Sequence, residues 1–276
     1  VVFNSFAQWR RFATKAKNSK ASIGLRVNPN VSASPTDMYN PCGKYSRLGI
    51  TKTNFEFSEL DGIEGLHFHA LCEESAQSLE IVLKAFEEQF GQIIPRMKWI
   101  NFGGGHHITK AGYDIELLIN LIKSFSQKYG VQVYIEPGEA VGWECGFLIA
   151  SVLDIVDNEQ KTCIIDASAE CHMPDTILMP YRPKIRGQRV DGEFCYRFGG
   201  ATCLAGDIVG AEAGEPIYSF DKPIDIGDRV IFEDQIHYTI VKNTTFNGVK
   251  LPSLAMMDES GNVTIWREFG YDDYAK

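Results

Sequence analysis

The chain has 276 residues, enough to bury a large core in one or two domains. Its 44% hydrophobic and 23% charged residues are those of an ordinary globular protein. A net charge of −9 argues against nucleic acid and anionic membranes as partners and favours cationic ligands, and no apolar run is long enough to span a bilayer.

In chain order, Val1-Val2-Phe3 reads as the end of a strand, with Asn4 or Ser5 capping a helix through Ala16. Ser22 to Pro29 is a strand stopped by proline, followed by a loop rich in Ser, Pro, Asn and Gly as far as Tyr45 to Ile50. Leu66 to Ala70 is a short buried strand. Ser75 to Phe90 has helical spacing at Leu79, Val82, Leu83 and Phe86. Trp99 to Phe102 is the next strand, Tyr113 to Tyr129 the next helix, and Val131 to Glu136 closes the series. Strands alternating with helices pair in parallel. Functional-looking residues stand at the C-terminal end of each strand, the arrangement of a β/α barrel.

The second half changes character. Phe147 to Val156 and Lys161 to Asp166 read as strands, and after Tyr181 come short strands punctuated by glycine, including Asp228 to Phe232 and Asn262 to Trp266. No helix of convincing length is expected there. A boundary near Cys145 divides an α/β part, residues 1–145, from a mostly antiparallel β-domain, residues 146–276. Seven cysteines without a Cys-x-x-Cys pair suggest free thiols and a reducing compartment, the cytoplasm. The opening residues are neither an initiator methionine nor a signal peptide.

The most informative stretch is Trp99-Ile100-Asn101-Phe102-Gly103-Gly104-Gly105-His106-His107. Glycines after a strand leave backbone N–H groups open to an anion, and a helix starting there adds its positive end, which is a recipe for phosphate. A plain strand-to-helix turn is the competing reading. His106 and His107 lack a spaced third ligand, so no metal is expected.

With Gly65-Leu66-His67-Phe68-His69, Ile135-Glu136-Pro137-Gly138-Glu139 and Gly200-Ala201-Thr202-Cys203, the chain resembles the barrel-type, alanine-racemase-like pyridoxal-phosphate decarboxylases of ornithine, arginine and diaminopimelate. The resemblance is strongest to the polyamine branch that acts on carboxynorspermidine and carboxyspermidine. It covers essentially the whole chain. It also places the lysine that anchors the cofactor on an opening strand ahead of Val1, which implies a sequence lacking its N-terminal portion.

The resemblance implies the following roles. Glu136 faces the pyridine nitrogen and keeps it protonated, so that the ring accepts electrons; a solvated turn glutamate is the competing explanation. His69 stacks on the ring, whereas His67, two residues earlier on the same face, serves as an ordinary core histidine. Gly103, Gly104, Gly105, Gly138, Cys72 and Tyr238 hold the phosphate, Cys72 standing where relatives often have serine and Tyr238 competing with the reading of a core tyrosine on a strand. Glu139 replaces the usual arginine and suits a substrate with extra amines.

Cys203 is the proton donor after carbon dioxide leaves, contributed across a homodimer interface, and buried packing is its competing role. Arg47 and Asp207 match a pair that bridges subunits in relatives, with Asp207 also a substrate-side candidate. His172 and Asp175 lie where relatives carry a short specificity helix, and Asp175 is the candidate for a terminal ammonium, against a helix-starting aspartate. Tyr271, Asp272 and Asp273 fit a solvated tail. The expected activity is decarboxylation of carboxynorspermidine and carboxyspermidine. Diaminopimelate or another basic amino acid is the alternative substrate, and a cofactor-less regulatory homologue the alternative of another class. Racemisation is disfavoured by the Cys-Leu-Ala-Gly-Asp stretch in the β half.

Overall fold

A computed structural model describes residues 1–34, 39–211, 215 and 217–275; residues 35–38 of the expected Ser- and Pro-rich loop lie outside them. The chain divides into two compact units, Val1–Val141 and Gly142–Lys276.

The first unit alternates strand and helix: β1 (Val2–Phe3), α1 (Phe6–Lys17), β2 (Gly24–Asn28), β3 (Ile50–Thr51), β4 (Gly65–His67), α2 (Ala76–Phe90), β5 (Trp99–Asn101), α3 (Ile115–Tyr129), β6 (Gln132–Tyr134) and α4 (Gly138–Val141). The sheet order is β1-β2-β4-β5-β6, with β3 on β2, and every pairing is parallel. Side chains set the helix starts. Ser5, Ser75 and Asp114 each accept a backbone N–H at an N-terminus, and Gly130, in the left-handed region, ends α3. Helix α2 buries Leu79, Val82, Leu83, Phe86 and Phe90 at the spacing its sequence gives.

Register puts whole rows of residues on one face. Leu25, Leu66, Ile100 and Val133 form an apolar row that packs into the core. One residue further along, Arg26, His67, Asn101 and Tyr134 form a row on the other face. Two residues earlier on that same face lie Gly24 and Gly65, and the Trp99 indole covers both: a Cβ on them would stand 2.3 and 2.1 Å from it. Trp99 thus fills one end of this face, and the polar row occupies the end toward the strands' C-termini.

The second unit contains β7 (Phe147–Asn158), β8 (Gln160–Ile165), α5 (Ala169–His172), α6 (Asp175–Leu178), β9 (Phe194–Gly199), β10 (Tyr218–Phe220), β11 (Arg229–Glu233), α7 (His237–Val241), β12 (Leu254–Met257), β13 (Val263–Arg267) and α8 (Tyr271–Ala275). Its sheet runs β10-β9-β8-β7-β11. All pairs are antiparallel except β8 with β9. Leu148, Ala150 and Val152 alternate inward along β7 against Phe198, Tyr218 and Phe232. Strands β12 and β13 pair as a separate hairpin. Helices here have four or five residues, as the lack of long helical patterns anticipates.

Two expectations are corrected. No helix follows the glycine triplet: His106 bridges to Glu74, turns intervene, and α3 begins only at Ile115. Tyr238 is not on a strand but on the short helix α7, where it is exposed.

Candidate active site

Strands β4, β5 and β6 are neighbours, and His67, Asn101 and Tyr134 end them side by side. The ladder continues past the strands, with Phe68 N–H donating to Asn101 O (3.0 Å), Phe102 N–H to Tyr134 O (2.9 Å) and Glu136 N–H to Gly103 O (2.8 Å). His69, the glycine turn and Glu136 are therefore brought together. Ligand atoms of His67, His69 and Glu136 all lie within 4.8 Å of one another.

Glu136 is half exposed, its side chain at 52%. Its Oε1 accepts from Asn101 Nδ2 at 2.8 Å, and its Oε2 stands 3.7 Å from His67 Nε2. His67 is therefore not an ordinary core histidine. It is buried, neither ring nitrogen has a hydrogen-bond partner, and burial pushes its pKa down to about 4 against the upward pull of Glu136. Burial also lowers His69, helped by Arg26 and opposed by Glu136. Both imidazoles are neutral at neutral pH. The Arg26 guanidinium, itself lowered by burial, belongs to the same group.

The three glycines are also required by close packing. A Cβ on Gly103 would lie 2.4 Å from Phe68 O, on Gly104 2.7 Å from Glu136 O, and on Gly105 2.2 Å from Leu71 O. Close backbone packing between strand ends requires them. Gly103 N–H donates to Asn101 Oδ1 (2.9 Å) and Gly104 N–H to His69 Nδ1 (3.2 Å). Those two N–H groups are committed within the protein, which corrects their expected contact with phosphate. Gly138, by contrast, has open space where a Cβ would be. The Cys72 thiol is pushed up to about 11, first by burial and then by Glu73, Glu139 and Glu74. Those carboxylates disfavour phosphate at Cys72 and favour a cation.

In the second unit, Cys203 is exposed, and its Sγ accepts from Asn247 Nδ2 at 3.0 Å. Asn247 sits in the left-handed region at φ 57°, which asparagine tolerates. Asp207 is only 2% exposed. Its carboxylate accepts from Ser168 Oγ (3.0 Å), Ala169 N–H (2.8 Å), Glu170 N–H (3.4 Å) and Thr202 Oγ1 (2.6 Å). The carboxylate is thus engaged by the chain's own helix start and loop. His172 is likewise buried, with Nδ1 accepting from Ser168 N–H at 3.1 Å, and its pKa is lowered by that burial. Through Nδ1 it braces the start of α5. Asp175 pairs with Lys242 Nζ at 2.5 Å. Lys242 also lies 4.6 Å over the Tyr238 ring.

Sequence reasoning did not assign roles to Asn101, Arg26 or Asn247. Arg26, His67 and Asn101 share one register row, a signal that becomes visible only once the strands are paired.

Residues 14–235 match the family model described as pyridoxal-dependent decarboxylase, C-terminal sheet domain. The chain is 55% identical over 288 residues to a carboxynorspermidine/carboxyspermidine decarboxylase of Campylobacter jejuni, covering 100% of this chain and 73% of that protein. It is 44% identical to a carboxyaminopropylagmatine decarboxylase of Synechocystis, covering 99% and 70%. Among solved structures, carboxynorspermidine decarboxylase from Campylobacter jejuni complexed with norspermidine superposes with a TM-score of 0.89 at 54% identity, over 99% of this chain and 73% of that one. Diaminopimelate decarboxylase from Helicobacter pylori, with a TM-score of 0.80 at 18% identity over 99% and 71%, shares the fold. The architecture is that of the β/α-barrel decarboxylases with their following β part. The family's cofactor, pyridoxal phosphate, fits the residues present: the unpartnered buried nitrogens of His67 and the free face of Glu136 Oε2 are polar atoms that a bound heterocycle would engage. By the extent of these matches, the chain belongs to the pyridoxal-dependent decarboxylases.

Proposed function

We propose that this chain decarboxylates carboxynorspermidine and carboxyspermidine to norspermidine and spermidine, as a homodimer in the cytoplasm. The observation that carries the reading is the 55% identity, along the whole chain, to a relative of that activity. The bound cofactor supplies an electron sink for the pair released when the Cα–carboxylate bond breaks. Residues 1–145 would seat it, with Glu136 accepting a hydrogen bond from the ring nitrogen and neutral His69 covering the ring. Residues 146–276 would carry the proton donor.

The balance of the reaction requires one proton at Cα for each carbon dioxide lost. The Cys203 thiol, exposed and oriented by Asn247, is suited to deliver it. Sharing of sites between subunits follows the family resemblance of the Cys203 loop. The carboxylates Glu73, Glu74 and Glu139 around Cys72 suit a polycationic substrate. Seven free cysteines accord with a reducing compartment, and among the described residues no helix is long and apolar enough to cross a membrane.

The test is a comparison of kcat/KM, on the natural protein with its upstream sequence and with pyridoxal phosphate present, for carboxynorspermidine, carboxyspermidine, carboxyaminopropylagmatine and diaminopimelate. The first two should lead. A clear preference for carboxyaminopropylagmatine would favour the second reading, for which the 44% identical Synechocystis protein gives a specific reason. A preference for diaminopimelate would remove the polyamine assignment, and no turnover of any would leave the regulatory homologue.

A further inference from the structure

We infer that Asn101 is the positioning residue that aims the Glu136 carboxylate at the cofactor's ring nitrogen. This rests on the reading that Glu136 faces that nitrogen. Asn101 is the last residue of β5, between β4 and β6, and both ends of its amide are engaged. Gly103 N–H can only donate, so the atom 2.9 Å from it is the amide oxygen. The amide nitrogen is thereby turned toward Glu136 Oε1, 2.8 Å away. A third bond, Glu136 N–H to Gly103 O at 2.8 Å, closes a ring of contacts joining strand end, glycine turn and carboxylate.

The chemistry of the donor matters. A half-exposed glutamate has several torsions to lose, and one fixed hydrogen bond selects among its rotamers. An arginine or lysine in this position would also hold it, but would compensate the negative charge the ring nitrogen needs. A neutral amide restrains the carboxylate and leaves its charge in place. The partition between the two oxygens is also definite. Oε1 is occupied by Asn101, while Oε2 lies 3.7 Å from a neutral His67, beyond hydrogen-bond range, and remains available as an acceptor. Glycine packing adds rigidity, because Gly104 lies so close to Glu136 O that a Cβ there would stand 2.7 Å from it.

Stripping the cofactor and titrating it back isolates this role from turnover. The natural enzyme, Asn101→Ala and Asn101→Ser are compared for pyridoxal phosphate and for its 1-deaza analogue, in which C–H replaces the ring nitrogen. Serine keeps an oxygen for Gly103 N–H but is too short to reach Glu136, so it guards against a variant that fails to fold. The natural enzyme should prefer pyridoxal phosphate, and both variants should lose roughly 5- to 10-fold of that preference, the size of one ordinary hydrogen bond. If the natural enzyme does not distinguish the two ligands, the placement of Glu136 fails and the inference with it. If it does, and the variants keep the same ratio of Kd values, Asn101 is a structural residue only and the inference alone is overturned.

Discussion

Replacing Asp207 by alanine tests whether this carboxylate is an internal anchor or a link between subunits. The substitution removes the acceptor of Ser168 Oγ and Ala169 N–H, both on fully buried residues, and of Thr202 Oγ1 at a half-buried one. Water can replace the acceptor for Thr202 but not readily for the other two. Orphaning a buried donor costs about 1–3 kcal/mol, so two of them, with weakened capping of α5, total about 3–5 kcal/mol. For a chain of this size each kcal/mol moves Tm by roughly 2–4 °C, and thermal unfolding followed by circular dichroism should therefore show a fall of roughly 6–20 °C. An internal anchor gives a loss that does not depend on protein concentration, whereas a subunit link gives one that shrinks as concentration rises. A fall below about 2 °C, or one that vanishes at high concentration, would refute the reasoning. Arg47→Ala, made alongside, should leave Tm nearly unchanged.

Gly103→Ala forces a Cβ to 2.4 Å from Phe68 O at a left-handed φ of 74°, and should destabilise by several kcal/mol in urea unfolding, in the range of buried overpacking with backbone strain. Gly138→Ala meets open space on α4 and should keep or slightly raise stability while weakening cofactor binding if phosphate approaches that backbone. Cys203→Ala should leave pyridoxal phosphate binding intact and lower kcat by roughly 100-fold or more, the usual range for a general acid; unchanged kcat removes the thiol from the reaction. His67 and His106, both pushed down to about 4 by burial, stay neutral in the folded chain where the unfolded chain takes up protons. Their contribution is complete above pH 6.5 and is lost as pH falls toward 4, at up to about 1.4 kcal/mol per pH unit for each. His67→Gln should flatten the fall of Tm between pH 6.5 and 5, and an unaltered slope would show that this histidine does not titrate as described.

Much of the fold was legible from side-chain periodicity. Leu79, Val82, Leu83 and Phe86 gave α2, the run Phe147 to Val156 read as the strand that became β7, and the alternation of strands with helices gave the parallel first sheet. What failed depended on tertiary context. The segment His237-Tyr238-Thr239-Ile240-Val241 is rich in β-formers, yet it follows Asp234 at φ 55° and winds into α7. A glycine triplet looks the same in sequence whether its N–H groups face an anion or a side chain, and only the pairing of β4, β5 and β6 turns two of them toward His69 and Asn101. Charge alone is equally silent at Asp207 and Asp175. The burial of one among Ser168, Ala169 and Thr202, and the pairing of the other with a lysine 67 residues away in sequence, are invisible without the fold.

The enclosure of Asp207 has a consequence for the loop that carries Cys203. Gly200 N–H donates to Asp207 O, Asp207 N–H to Leu204 O, and Thr202 Oγ1 to the Asp207 carboxylate, so the segment is tied back on itself. Freezing one backbone residue costs about 1–2 kcal/mol in entropy. For these residues that loss belongs to folding of the chain and is not charged again when a substrate arrives. For the proton donor we propose, a thiol on so constrained a loop would meet Cα with little freedom left to surrender, its encounter governed by distance and acidity rather than by a search through conformations.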